Sequence, residues 1–188
     1  NGRRRQRQMC IRDRYLYEIQ LFIARKLVFK KWKEALGGNL STISSGSAAL
    51  QPRLARIFTA AGITIAEGYG LTETSPVISV NDMRRNQLKI GSVGPLLDDV
   101  EVKIAEDGEI LCKGPNVMMG YYKDKKKTNE VIKDGYFHTG DIGHIDKDGF
   151  LKITDRKKEM FKTSGGKYIA PQAIENCMKQ SIFIDQIM

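Results

Sequence analysis

The chain has 188 residues, of which 41% are hydrophobic and 28% charged, with a formal net charge of +9. That length suits one ordinary domain or pieces of two, and the composition is that of a globular protein rather than a disordered one. No apolar run approaches the ~18 residues that span a bilayer, no apolar core follows the basic N-terminus as a secretory signal requires, and Cys10, Cys112 and Cys177 lie too far apart for a metal motif or a disulfide framework.

Six of the 31 basic residues fall in the first fourteen positions with one acid, Asp13, and without them 25 basic and 21 acidic residues remain, a balance of +4. The segment Arg4 to Asp13 has no helical or strand period. It resembles the translation of a transposase sequencing adapter, so residues 1–14 are expected to be non-native and are set aside from fold reasoning. With them goes the main reason to expect a nucleic-acid partner, and none is expected.

Leu16 to Leu36 reads as one helix. Leu16, Ile19, Ile23 and Leu27 share a face, widened by Leu21, Val28, Trp32 and Ala35, and Gly37-Gly38 ends it. Arg25, Lys26, Lys30, Lys31 and Lys33 fall largely outside that stripe. The pattern predicts a surface helix packed on a core, with peripheral attachment to a membrane as the other option. Leu40 to Ser44 follows as a strand and Leu50 to Ala61 as a helix with Pro52 in its first turn and Gly62 as its stop. Ile63 to Ala66 is a strand that runs into Glu67-Gly68-Tyr69-Gly70. This order is the grammar of a parallel α/β sheet, whose ligands collect beyond the carboxyl ends of its strands.

After Asn81 the pattern turns antiparallel. Val100, Val102 and Ile104 alternate with charged residues, Asp107-Gly108 turns the chain, and Glu109 to Cys112 returns. A second hairpin is expected where Ile142 to Ile145 and Phe150 to Ile153 flank Asp146-Lys147-Asp148-Gly149. That turn lacks the third ligand position and terminal Glu of a calcium loop. Ile169 to Met178 opens a helix behind Pro171. The expected fold class is α/β: the end of a large α/β sheet domain (15–155) with an antiparallel β subdomain (87–154), then the truncated start of a small α+β C-terminal domain (156–188).

Three segments carry chemistry: GYGLTETSP at 68–76, GYFHTGD at 135–141 and DRKKEMFKTSGGKYIAPQAIE at 155–175. In this order and spacing they resemble the core motifs of the acyl-adenylate-forming synthetases, a superfamily of acyl-CoA synthetases, luciferase-like enzymes and adenylation domains. FKTSGGKYIAP is most similar to the long-chain fatty acid–CoA ligase branch. Three ordered motifs are far more specific than any one alone.

The resemblance implies a nucleotide site. Tyr69 would stack on adenine, with Gly68 and Gly70 allowing close backbone approach. Thr72 would bind the α-phosphate and Glu73 would hold Mg²⁺, a hard cation that binds through few carboxylates plus phosphate oxygens. Asp141 would accept hydrogen bonds from the ribose hydroxyls. Arg156 would pair with ribose or phosphate oxygens, and Glu67 and Ile153 complete the implied set. Gly46, Ser47 and Ala48 resemble, more weakly, a turn lining the acyl and adenine pockets. Lys158 would be the hinge whose dihedrals change when the small domain rotates. Lys162, Ser164, Gly165 and Gly166 would form the coenzyme A loop, with Gly165 lining a narrow channel. His138 is expected to be structural, because the substrate carboxylate is ionised at neutral pH and needs no base.

The implied activity is that of an ATP-dependent, AMP-forming fatty acid–CoA ligase using ATP, Mg²⁺ and coenzyme A, cytoplasmic or peripheral at the inner face of the membrane. A ligase for another carboxylic acid, or a non-catalytic homologue, is the alternative. The chain is expected to be an internal piece, because the family's phosphate loop lies upstream of Leu16 and its adenylation lysine beyond Met188. The 188-residue piece alone is therefore expected not to adenylate.

Overall fold

A computed structural model of the chain describes residues 15–162, 168–169, 171–178, 181 and 184. It has the α/β character expected and divides into two units, Asn1–Ile43 with Arg56–Ile65, and Ser44–Ala55 with Ala66–Met188.

In the first unit residues 15–35 are continuously helical, as the apolar stripe predicts, with a wider π-type turn over Arg25–Phe29 before the last segment Lys30–Ala35. We call the whole helix α1. Gly37 and Gly38 take φ of 87° and 80° and their amides return to the carbonyls of Glu34 and Lys33, a glycine-dependent stop. The expected packing of this helix on a core is not what is found. Leu16, Phe22 and Leu27 are 52%, 65% and 60% exposed, and none of the residues of Arg25–Ala35 is buried. Trp32 makes ring contacts to Phe29 and to Phe58, with centroids 5.5 and 5.9 Å away. The periodicity created the stripe but could not supply a surface to bury it.

Strand β1 (Thr42–Ser45), helix α2 (Pro52–Ala60) and strand β2 (Thr64–Tyr69) follow in the predicted order. β1, β2 and β3 (Ser79–Val80) are successive neighbours in a three-stranded sheet, with β3 antiparallel to β2. Pro52 starts α2, where its missing N–H costs nothing.

The rest of the second unit is the antiparallel region expected. β4 (Glu101–Ile104) and β5 (Glu109–Lys113) form the first hairpin, pairing Val102 with Cys112 and Ile104 with Ile110. Helix α3 (Lys125–Val131) leads into β6 (Ile132–Lys133). β7 (Tyr136–Ile145) and β8 (Leu151–Arg156) form the second hairpin, with Ile145 opposite Leu151. The sheet runs β4-β5-β7-β6, with β8 on β7. Its core is Ile78, Ile110, Cys112 and Leu151, all 0% exposed, with Tyr69, Leu71 and Ile153 packed against them. The Asp146 turn is a hairpin: its carboxylate accepts the amides of Asp148 and Phe150, and Lys89 Nζ lies 2.6 Å from both Asp146 and Asp148. The lysine supplies there the positive charge that a bound cation would bring. It also holds the Asp146 carboxyl far below the ordinary aspartate range.

β9 (Phe161–Lys162) pairs antiparallel with β10 (Tyr168–Ile169), and helix α4 (Pro171–Met178) follows where Pro171 predicts it. Among the described residues no helix is long and apolar enough to cross a membrane.

Candidate nucleotide site

A cavity of about 360 Å³ lies within the second unit, in the usual size range of small-molecule sites. Its wall includes Ser47, Ala48, Glu67, Gly68, Tyr69, Gly70, Asp141, Ile153 and Arg156, nine residues that the sequence motifs pointed to. Gly46 and Thr72 stand just off that wall. Gly46 backs onto the Gly68 carbonyl, which would lie 3.5 Å from a Cβ there. Thr72 begins the single turn Thr72–Thr74.

The end of β2 supplies Tyr69, and the middle of β7 supplies Asp141. Their meeting is the centre of the site: the Tyr69 hydroxyl donates to Asp141 Oδ2 at 2.7 Å. The register places Arg156 of β8 directly across from Asp141, with Nε 3.6 Å from Oδ1. Asp141 is 7% exposed, and burial raises its pKa above the ordinary aspartate value, while Tyr69 and Arg156 pull it back. Burial and the nearby Asp141 charge together push the Tyr69 phenol far up, so it remains a donor. Glu67, 8% exposed, is raised by burial and partly offset by the amides of Gly91 and Leu50.

The Thr-Gly-Asp order has a local reason. Thr139 donates its hydroxyl to the Ile110 carbonyl at 2.8 Å and accepts the Asp141 amide at 3.1 Å. Gly140 takes φ +74°, a left-handed turn inside the strand that L side chains rarely adopt. Asp141 is thereby held on the inner face of the strand. Gly70 has a reason inside the protein too, since a Cβ there would overlap the Pro76 carbonyl oxygen.

Glu73 lies in the Thr72–Thr74 turn, away from the cavity wall. Its Oε1 accepts the Tyr121 hydroxyl at 2.8 Å, and its carbonyl accepts the Met118 amide at 2.8 Å. Buried Thr74 closes this turn by accepting the Leu71 amide at 3.0 Å. Among the described residues no three His, Cys, Asp or Glu side chains converge to hold a metal unaided. A lone, hydrogen-bonded carboxylate fits Mg²⁺ only in company with substrate phosphates and water.

Lys158 follows β8 on the exposed side of a turn whose amides, from Glu159 and Met160, return to the Arg156 carbonyl. Lys162 is described only as backbone of β9, and Ser164, Gly165 and Gly166 lie outside the described residues. His138 places Nδ1 3.2 Å from Glu109 Oε2, a contact away from the cavity wall.

Two residues near the motifs carried no sequence signal, Tyr121 and Glu109, and Lys157 stood inside the 155–175 motif with no role of its own assigned. Glu109, 5% exposed, accepts the Gly140 amide at 3.0 Å and Lys157 Nζ at 2.7 Å. Burial pushes its carboxyl up, but Lys157, His138 and Gly140 together hold it below the ordinary value. Lys157 is raised by Asp107 and Glu109 in turn. Cys177 of α4 also borders the cavity, which sequence spacing gave no cause to expect.

Comparison with known proteins follows the same lines. A family model described as AMP-binding enzyme matches residues 14–122. The long-chain-fatty-acid–CoA ligase FadD15 of Mycobacterium bovis is 45% identical over 161 residues, 86% of this chain and 26% of the relative. The chain thus spans about a quarter of the length of the curated relatives it matches. The o-succinylbenzoate CoA synthetase MenE of Bacillus subtilis, solved with its acyl-adenylate intermediate, aligns with a TM-score of 0.67 at 31% identity, covering 74% of this chain and 31% of that one. The same enzyme solved with ATP and magnesium ion aligns at 0.65 and 32% identity, over 73% and 30% of the two chains. The chain belongs to the AMP-binding enzyme family.

Proposed function

We propose that this chain is part of an ATP-dependent fatty acid–CoA ligase, and that it holds the adenosine half of the nucleotide site. The observation that carries the reading is the convergence of Tyr69, Asp141 and Arg156 from three separate strands on one cavity. The family match, the ligase relatives and the neighbour solved with an acyl-adenylate support it.

In the overall reaction a fatty acid carboxylate and ATP give an acyl-adenylate and pyrophosphate, and the thiol of coenzyme A then takes the acyl group and releases AMP. The chain's own residues do the positioning. Asp141, ionised, accepts from the ribose hydroxyls, and Tyr69 turns its ring to adenine. Arg156 balances the Asp141 charge and reaches ribose or phosphate oxygens. Thr72 meets the α-phosphate, where negative charge must be neutralised as the carboxylate approaches. Glu73, oriented by Tyr121, would hold Mg²⁺, whose role is to screen the phosphate charge. Holding two reactants in line removes much of the entropic barrier of a bimolecular step.

Residues 15–155 would then be the C-terminal part of the large nucleotide domain and 156–188 the start of a small one. Lys158 is the pivot, and Lys162 with Ser164, Gly165 and Gly166 is the coenzyme A loop. A cytoplasmic site, with peripheral contact at the inner face of a membrane, is part of the same proposal. It is supported by the thinly spaced cysteines and the basic amphipathic helix.

The test is thioester formation by the full-length protein that carries this segment, over acids from acetate to palmitate and benzoate. Palmitate-range acids are expected to give the highest kcat/KM, with Asp141→Ala lowering it by about 100-fold or more. Highest kcat/KM on an aromatic or short acid would replace fatty acids as the substrate. Undiminished turnover in Asp141→Ala would remove the ribose assignment.

A further inference from the structure

The Glu109 carboxylate and the Lys157 ammonium are not used by the mechanism above, yet they are tied to both of its key segments. Glu109 begins β5 and is 5% exposed. Its Oε1 accepts the Gly140 N–H at 3.0 Å. Its Oε2 accepts Lys157 Nζ at 2.7 Å and lies 3.2 Å from His138 Nδ1. Lys157 Nζ also reaches Asp107 Oδ2 at 2.6 Å, and its backbone N–H donates to the Gly140 carbonyl at 2.9 Å. Gly140 is therefore gripped at both polar ends, its N–H by Glu109 and its C=O by Lys157. One residue on from Gly140 is Asp141, and one residue on from Lys157 is Lys158.

We propose that Glu109 and Lys157 form a clamp that sets the position of Asp141 in the cavity and anchors the fixed side of the hinge, so that rotation begins at Lys158. The inference rests on the ribose reading of Asp141 and the hinge reading of Lys158. Both members are positioning residues. Neither lines the cavity; they act through the Gly140 peptide. A glycine in a left-handed conformation is otherwise the softest point of β7, free to swing because it lacks a side chain. A buried carboxylate answered by an ammonium and a backbone amide is costly to open, since opening strands a charge in a dry site. Rotation that began before residue 157 would have to break that pair, whereas rotation after it leaves the pair intact. The clamp thus separates a rigid ribose site from a moving segment only one residue away.

The test uses the full-length protein that carries this segment, with Lys157→Met, Lys157→Arg and Glu109→Gln. Lys157 is half-exposed, so its variants keep the proposal testable where Glu109→Gln fails to fold. Two quantities are read: amide hydrogen exchange at Gly140 and Lys157 against reference amides in the β4–β5 ladder, and AMP affinity by titration. In Lys157→Met, exchange at Gly140 and Lys157 is expected to rise about tenfold while the reference amides stay unchanged, as for a local opening. AMP affinity should fall about fivefold, and Lys157→Arg should restore both readouts to within about twofold, because it keeps the charge and donors. Unchanged exchange at Gly140 in Lys157→Met overturns the clamp. Faster exchange with unchanged AMP affinity reduces the pair to a structural one and also overturns the proposal. Asp141→Asn is run beside them: if it leaves AMP affinity unaltered, the ribose reading has failed, and the exchange data still decide whether the clamp exists.

Discussion

The five-stranded sheet and the helix at 15–35 both carry rows of apolar side chains, and they treat them in opposite ways. In the sheet, Ile110, Cys112 and Leu151 are 0% exposed and are surrounded by other strands and by Tyr69 of the cavity wall. In the helix, Leu16, Phe22 and Leu27 remain more than half exposed. Apolar content alone therefore does not locate stability; partnership does. The site belongs to the sheet because a cavity with buried carboxylates needs a framework that cannot relax around them.

Substitutions can break or sharpen that contrast. The largest effect is expected for Leu151→Ala, about 3 kcal/mol of lost stability by chemical denaturation, from the transfer and cavity costs of a fully buried leucine. Glu109→Gln comes next, at about 2 kcal/mol, because it puts a neutral amide where a buried carboxylate accepts from Lys157 and from the Gly140 amide, and Lys157 keeps only the exposed Asp107 as a charged partner. Its pH dependence has a definite sign. The folded pKa of Glu109 lies below the ordinary value. Its contribution is complete above the unfolded value of about 4.3 and is lost as pH falls through the folded one. The gap between wild type and variant, measured in urea, should thus narrow on acidification below about pH 4.

Asp141→Asn should move the other way. The folded pKa of Asp141 is raised, so its stabilising contribution is present at low pH and is lost as pH rises through the folded value. At neutral pH the ionised carboxylate costs the fold, and Asn removes that cost. A gain in stability is expected, vanishing below about pH 3.9 where both side chains are neutral. Lower stability of Asp141→Asn at neutral pH would show that Tyr69 and Arg156 fully answer the charge. The smallest effect is expected for Leu27→Ala, within about 0.5 kcal/mol, as for a surface position. A cost for Leu27 equal to that for Leu151 would erase the contrast between helix and sheet.

What was legible in the sequence follows the same division. Asp107-Gly108 and Asp148-Gly149 announced their hairpins because a two-residue turn signal is local. Gly37-Gly38 and Pro171 marked a helix end and a helix start for the same reason. The motif residues Tyr69, Asp141 and Arg156 could be named from resemblance, and the structure brings them to one cavity. Glu109 could not be found, because it reads as an ordinary first residue of a returning strand. Its burial arises only when β5 pairs with β7, which brings it to a glycine 31 positions away. Tyr121 was hidden in the same way, meeting Glu73 across 48 positions. The helix face was legible and its partner was not, since periodicity describes one side of a contact.

The most direct test of the proposed nucleotide site is a calorimetric titration with AMP of the full-length protein that carries this segment, wild type against Asp141→Asn. Saturable binding to the wild type is expected, weakened about tenfold or more in the variant, a loss of about 1.4 kcal/mol or more. Equal affinity in the two proteins, or binding of neither, would contradict the assignment of Tyr69, Asp141 and Arg156 to an adenosine site.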